Sequence, residues 1–354
     1  MRLSKTALLL VSLIAVLMSG CAQKRIAIKM LEPAEVAVLA NKKHIAVAKF
    51  RNDTIGLAGK IEANLANAKV DGKKYFTVVN RQQMNKILAE QKLQSSEMID
   101  PSTASKIGKI IGVQAMITGE VASATGTMGS YLQDRKECLR YYKDGSGCAR
   151  WHFYKVRCHT TTATVSANMS IIDVETAAVL YGDSYNKTYS ADSCKAGETS
   201  FAGLLMLDTG PKQILSKNQA INKLTEFIAH DFALKLVPHY VTLNVNLLDD
   251  LDIDATGSQK KRFEYALKYI NAGRAKKAEK ILQQLLDEVD GNSAVIAYDL
   301  GVVKEALGKL DEAQKLYQLA DDKTLEPVEE INEAILRIQS AIKKREQAKE
   351  QMGK

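Results

Sequence analysis

The chain has 354 residues, 46% apolar and 25% charged, with only five prolines, which describes a folded protein of roughly two domains and excludes a disordered tail. Its 49 Lys+Arg against 41 Asp+Glu give a formal charge of +8, a balance that favours anionic partners such as lipid headgroups, surface polysaccharide or acidic protein. One apolar run lies near residues 7–18, shorter than the roughly 20 residues a spanning helix needs, and nothing later approaches that length, which excludes a polytopic membrane protein.

That run reads as an export signal. Arg2 and Lys5 precede it, and Ser19-Gly20 follow as small residues for cleavage. Leu17-Met18-Ser19-Gly20-Cys21 resembles the bacterial lipobox, although Met18 stands where Leu is usual. The resemblance implies that residues 1–20 are removed and that Cys21 becomes the lipidated first residue. Two or more acyl chains anchor a protein stably. Ala22, in place of an Asp that would resemble an inner-membrane retention signal, points to the periplasmic face of the outer membrane. Residues 21–40 are expected to act as an N-terminal tether.

A central domain is expected over 41–248. His44–Phe50 is a short apolar run suited to a buried strand, and Leu57, Ile61, Leu65 and Ala68 recur at helical spacing. Lys74–Asn80 is β-branched and aromatic, hence a strand. Helices are expected over Gln82–Leu93 and Ser102–Ile111, the latter capped by Ser102 or Thr103 after Pro101, followed by a strand over Val113–Ala124. From Thr160 to Ile172 the chain alternates, with Ala163, Val165, Ala167, Met169 and Ile171 on one face and Thr162, Thr164, Ser166, Asn168 and Ser170 on the other. Such a period marks one packed and one wet face. A turn leads into a strand at Val179–Tyr189. Gln213–Leu236 follows as a long amphipathic helix, and Val241, Leu243, Val245 and Leu247 alternate as a closing strand. The fold class expected is α/β (α+β), a mixed sheet with helices over one face.

These segments resemble a known family. IAVAKFRNDT from Ile45, FTVVNRQQMNKILAEQ from Phe76 and IIDVETAAVLY from Ile171 are similar in order and kind to the curli assembly/transport (CsgG-like) lipoproteins, across about residues 44–240. Val79–Glu120 is the most specific stretch. The resemblance implies a periplasmic α/β domain anchored in the outer membrane. It also implies, in the founding branch, two β-hairpins per subunit contributed to a shared export barrel. A lipid-facing hairpin needs strands of about 9–11 residues with uncharged outward positions. Between Val121 and Ile172 the runs Gln133–Cys138 and Arg140–Cys148 are dense in charge. Leu180–Leu207 holds Asp183, Lys187, Asp192, Lys195 and Glu198. Both hairpins are therefore expected as soluble β structure, with a Cys-rich β insertion at 130–200, and a pore is disfavoured.

Cys138, Cys148, Cys158 and Cys194 form an even set in an exported domain, where disulfides persist. Three pairings are open. Cys138–Cys148 across the turn at Asp144–Gly147, with Cys158–Cys194 between neighbouring strands, is the expectation. Their wide spacing, without Cys-x-x-Cys, speaks against a zinc site with His152 or His159, and no metal or cofactor is expected.

After an acidic linker at 249–258, read as a hinge, the last quarter repeats itself. Gly273 onward aligns with Gly308 onward at an offset of 35, with Ala278/Ala313, Leu282/Tyr317 and the small pair Ala266/Gly301 in register. Residues 259–322 thus resemble two tetratricopeptide units, an all-α module of helix pairs, with 323–354 as capping helix and tail. Such repeats present a groove that binds peptides. In this register Lys260, Phe263, Leu267, Asn271, Tyr298, Val302 and Glu305 line it. Packing against the central domain or self-association fits the same surface equally.

The function expected is a non-enzymatic assembly or secretion accessory and protein-interaction platform on the outer membrane. The alternatives are a regulator of an envelope enzyme such as a peptidoglycan synthase, and a subunit of an oligomeric secretion pore. The partners expected are the membrane through the lipid, envelope proteins and further copies of the chain, not nucleic acid, which the compartment excludes. Catalysis is disfavoured because His44, His152, His159, His230 and His239 are scattered and none sits in a nucleophile or metal-ligand motif.

Overall fold

The computed structural model describes residues 24–79, 86, 100–143, 145–195 and 214–353. The export signal, Cys21, most of the helix expected at 82–93 and the far half of the second hairpin lie outside the described residues. The described chain divides into two units, one running to Pro33 and resuming over His239–Glu350, the other Ala34–Pro238 with Gln351–Lys354.

The Ala34–Pro238 unit is built on a five-stranded mixed sheet in the order β5-β2-β6-β7-β8. Its strands are β2 (His44–Val47), β5 (Thr77–Val79), β6 (Ala115–Tyr141), β7 (Cys148–Asp173) and β8 (Val179–Asp192), and a small ladder pairs β3 (Lys69–Val70) with β4 (Lys73–Lys74). β2 lies parallel to β5 and β6, whereas β6, β7 and β8 form an antiparallel meander. The alternation read over 160–172 is realised in β7. Ala163, Val165, Ala167, Met169 and Ile171 are buried. The opposite face carries polar cross-strand bonds, Thr164 to Thr188 at 3.0 Å and Ser166 to Asn186 at 3.2 Å.

Among the described residues the helices that cover this sheet are α1 (Leu57–Asn67), α2 (Pro101–Ile111) and α3 (Lys217–Lys235). α1 and α3 pack on each other and against the face of the alternating apolar residues, where the Tyr185 hydroxyl donates to Asp231 of α3 at 2.7 Å. α2 lies on the other face, sharing a cluster with Ala46, Met116 and Ile172. Helices therefore occupy both faces near β2, rather than one, because short inner strands such as β2 are apolar on both sides. The cap of α2 is Asp100, which accepts from Thr103 N at 3.0 Å, and not Ser102 or Thr103. Pro101 favours the first helical position, which moves the cap one residue back.

The second unit joins a two-stranded ribbon to five helices. β1 (Arg25–Glu32) pairs antiparallel with β9 (His239–Asn246), Arg25 opposite Asn246 and Glu32 opposite His239. The strand expected to close the central sheet thus pairs instead with the segment expected as a tether. Period-two alternation identifies a half-buried strand but not its partner. The helices are α4 (Gly257–Asn271), α5 (Ala275–Glu288), α6 (Ala294–Ala306), α7 (Leu310–Asp322) and α8 (Glu329–Gln351). Gly273 and Gly308, 35 apart, take φ of +70° and +78° after α4 and α6, a left-handed exit that glycine adopts without strain. At Gly301 a Cβ would stand 2.7 Å from the Tyr317 ring, so the small residue read at this register is what lets α6 and α7 touch. α6 is buried on every side from Ala294 to Glu305, as a helix at the centre of its unit must be.

Candidate interaction surfaces

In the sheet unit the distinctive feature is the end of the β6–β7 hairpin. β8 accompanies β7 only as far as Thr160, opposite Asp192, but β6 and β7 continue their pairing to Tyr141 opposite Cys148. Residues 130–159 thus form a two-stranded arm of roughly 40 Å, at about 3.3 Å per residue. The hairpin is long, and its charges are spread over both of its faces. Arg135 and Glu137 fall on one face, and Asp134, Lys136, Lys155 and Arg157 on the other. Neither face offers the uncharged band a lipid-facing strand requires.

Two disulfides fasten this arm. Cys138–Cys148 clamps the tip with a Cα–Cα distance of 5.7 Å, and Cys158–Cys194 ties the base to the segment after β8 at 5.5 Å. This is one of the three pairings open to the sequence, and the one expected from the turn and the neighbouring strands. Among the described residues no group of three His, Cys, Asp or Glu side chains could hold a metal ion, and no helix is long and apolar enough to cross a membrane.

In the helical unit the seven residues assigned to a peptide groove separate into two sets. Lys260 and Asn271 are exposed, whereas Phe263, Leu267, Tyr298, Val302 and Glu305 are buried. The chain itself covers them. Ile28, Val245 and Leu247 from the ribbon enter the same cluster as Phe263, Leu267, Tyr298 and Val302. The Tyr298 hydroxyl donates to Asn246 O at 2.9 Å, and Leu248 N donates to Asp299 Oδ1 at 3.0 Å. An apolar helix face that two repeats leave open is worth more covered by an intramolecular strand, whose association costs no translational entropy. Complete burial pushes the Asp299 carboxyl well above the usual carboxylate range, reinforced by Asp249.

The segment 249–258 is likewise fastened rather than free. Asp252 accepts from the Ser293 hydroxyl and from Ala294 N at 2.7 Å, placing a carboxylate at the N-terminus of α6, where the helix dipole favours it. Asp249 faces Lys24 at 3.7 Å. Between this segment and α4 lies a cavity of about 460 Å³, lined by Asp249, Asp250, Leu251, Ile253, Lys260, Phe263 and Glu264. Of the groove candidates Lys260 and Phe263 line it, beside three carboxylates, of which Asp249 already faces Lys24.

Sequence reasoning did not foresee a buried ion pair in this unit. Arg337 of α8 donates to Glu305 of α6 through Nε at 3.0 Å and Nη2 at 2.9 Å, and the Tyr317 hydroxyl donates to the same carboxylate. Glu305 is completely buried. Burial, with the Glu305 charge beside it, raises Tyr317 well above the ordinary phenol range and keeps it a donor. The sequence held only a faint signal, Arg337 inside an otherwise apolar stripe.

Comparison with known proteins adds the family. The family model described as curli production assembly/transport component CsgG matches residues 27–239. No match to a curated protein is found. Among solved structures the chain is similar to the LpoB C-terminal domain from Salmonella enterica, at 13% identity over 43% of this chain and 94% of that one, with a TM-score of 0.25. It is also similar to lipoprotein GNA1162 from Neisseria meningitidis, at 14% identity over 54% and 97%, TM-score 0.28. A third likeness is to the PelC dodecamer from Paraburkholderia phytofirmans, at 12% identity over 60% and 97%, TM-score 0.25. At these scores the likenesses carry no argument about function.

Proposed function

Because the chain belongs to the curli production assembly/transport component (CsgG) family, we propose that it is a lipoprotein of the periplasmic face of the outer membrane, a non-catalytic accessory of assembly or secretion that serves as a platform for protein partners. The family match over 27–239 is the observation that carries this reading. The lipobox-like residues around Cys21 supply its anchor, through acyl chains on that thiol. The helical unit, tetratricopeptide-like in its 35-residue offset, supplies a protein-facing module. Its contact surface is the exposed side bearing Lys260 and the acidic cavity, since the face first assigned to a groove is filled from within.

One observation favours a second reading. β6 and β7 run 27 and 26 residues, long enough to span a bilayer in an oligomeric pore. Against it stand charges on both faces of the arm, since an Arg or Lys at the bilayer midplane costs about 2–4 kcal/mol. Planar bilayers with detergent-extracted full-length protein separate the two. The accessory reading expects no unitary conductance and a small particle by size exclusion; discrete conductance steps from a large ring would replace it with the pore.

A further inference from the structure

We propose that the tip of the β6–β7 arm docks on an anionic phospholipid surface, with its aromatic side chains at headgroup depth and without crossing the bilayer. The tip concentrates two kinds of side chain that seldom share a solvated surface. Tyr141, Tyr142, Trp151 and Phe153 are exposed, Phe153 by 72% and Tyr141 by 68%. Arg140, Lys143 and Arg150 are interleaved with them and also exposed. The whole arm from 130 to 159 carries seven basic against three acidic residues. Large exposed apolar groups of this kind mark a contact surface.

Three features select a lipid surface as the occupant. The first is charge complementarity, the arm being basic and phospholipid headgroups of an anionic leaflet acidic. The second is the residue types, since Trp and Tyr are enriched at membrane–water interfaces and Lys and Arg hold the flanks. The third is distribution. The register puts Trp151 and Phe153 on one face of the ribbon and Tyr154 on the other, with Tyr141 and Tyr142 at the turn. Aromatics on both faces and at the turn suit an interface into which the tip dips, which meets both faces at once. The Cys138–Cys148 disulfide holds the tip in this form, and Lys136 stands 4.6 Å over the Trp151 ring, keeping cation and indole side by side. The charges at Arg135, Glu137, Lys155 and Arg157 behind the tip set the depth limit.

Trp151 is the only tryptophan of the chain and reports directly on the site. The test uses the full chain carrying Cys21→Ser, which removes acylation as a route to the membrane, with vesicles of phosphatidylethanolamine and phosphatidylglycerol at 3:1. Expected are co-sedimentation, a blue shift of tryptophan emission, and quenching by brominated acyl chains, all weakened by salt and all weak on phosphatidylcholine vesicles. The triple variant Arg140→Gln/Lys143→Gln/Arg150→Gln should bind about a hundredfold more weakly, from about fivefold per basic residue near an anionic leaflet. These side chains are exposed, so the variant should fold with both disulfides intact. Unshifted emission with anionic vesicles overturns the proposal, as does sedimentation without quenching. Equal emission shifts with a soluble anionic polysaccharide would assign the tip to that polymer and overturn it too. None of these outcomes depends on whether the chain is a secretion accessory.

Discussion

Replacing Arg337 by alanine is expected to destabilise the helical unit by about 3–5 kcal/mol, the cost of leaving a buried carboxylate without its counter-charge. Glu305 is completely buried, and both its oxygens are engaged by the Arg337 guanidinium. Tyr317 donates to the same group but supplies no charge. The contrast within one helix is Arg345, which meets Asp311 at 3.3 Å where that carboxylate is 73% exposed. Arg345→Ala should cost less than about 1 kcal/mol, as surface pairs do. Hydrogen exchange of α6 and α8 peptides reads the difference locally, and urea unfolding reads it globally. The double variant Glu305→Leu/Arg337→Met should recover most of the loss, because an apolar pair needs no desolvation of charge. Equal, small effects for Arg337→Ala and Arg345→Ala would mean that the pair is hydrated in solution.

The second large effect is expected at Ile28. This residue is fully buried in the cluster that includes Phe263, Leu267 and Val302, although it lies far from them in sequence. Ile28→Ala should lower the stability of the helical unit by about 2–5 kcal/mol, the range for truncating a large aliphatic side chain in a core. Lys29, its exposed neighbour, should tolerate alanine within about 0.5 kcal/mol. An N-terminal tether would leave both changes silent. Faster exchange in α4 and α6 for Ile28→Ala alone establishes β1 as part of the helical core; identical behaviour of the two variants would return it to the role of a leash.

These two sites also mark where the sequence was legible and where it was not. β7 could be read residue by residue, because one face of its sheet is packed and the other wet, so polarity alternates strictly between Thr162 and Ile171. The 35-residue offset was equally plain, since Gly273 and Gly308 leave their helices through the same left-handed exit and Gly301 meets a ring. Pairing partners were not legible. β9 alternates whether it closes a sheet or pairs with β1, and Ile26, Ile28 and Met30 alternate too briefly to announce a strand. The peptide groove failed for the same reason. Phe263, Leu267, Tyr298 and Val302 have the spacing of an exposed apolar stripe, and only the ribbon's position in space shows that the stripe is already covered. Arg337 escaped because a charge in a helix is ordinarily a solvated one, and its burial depends on Glu305, 32 positions away.

On the arm the charges could be read from the sequence, whereas the continuous pairing of strands of 27 and 26 residues is a property of the register. The aromatics at Tyr141, Tyr142, Trp151 and Phe153 were visible as letters, but their common location at one tip is a consequence of the β6–β7 register.

The proposed function requires a tethered body that meets a membrane through fatty chains on one early thiol. Mass spectrometry of the N-terminal peptide from membrane-extracted protein tests this most directly. A mature chain starting at Cys21 and carrying the mass of its acyl groups is the predicted result. A chain starting elsewhere, or starting at Cys21 with an unmodified thiol, would contradict it.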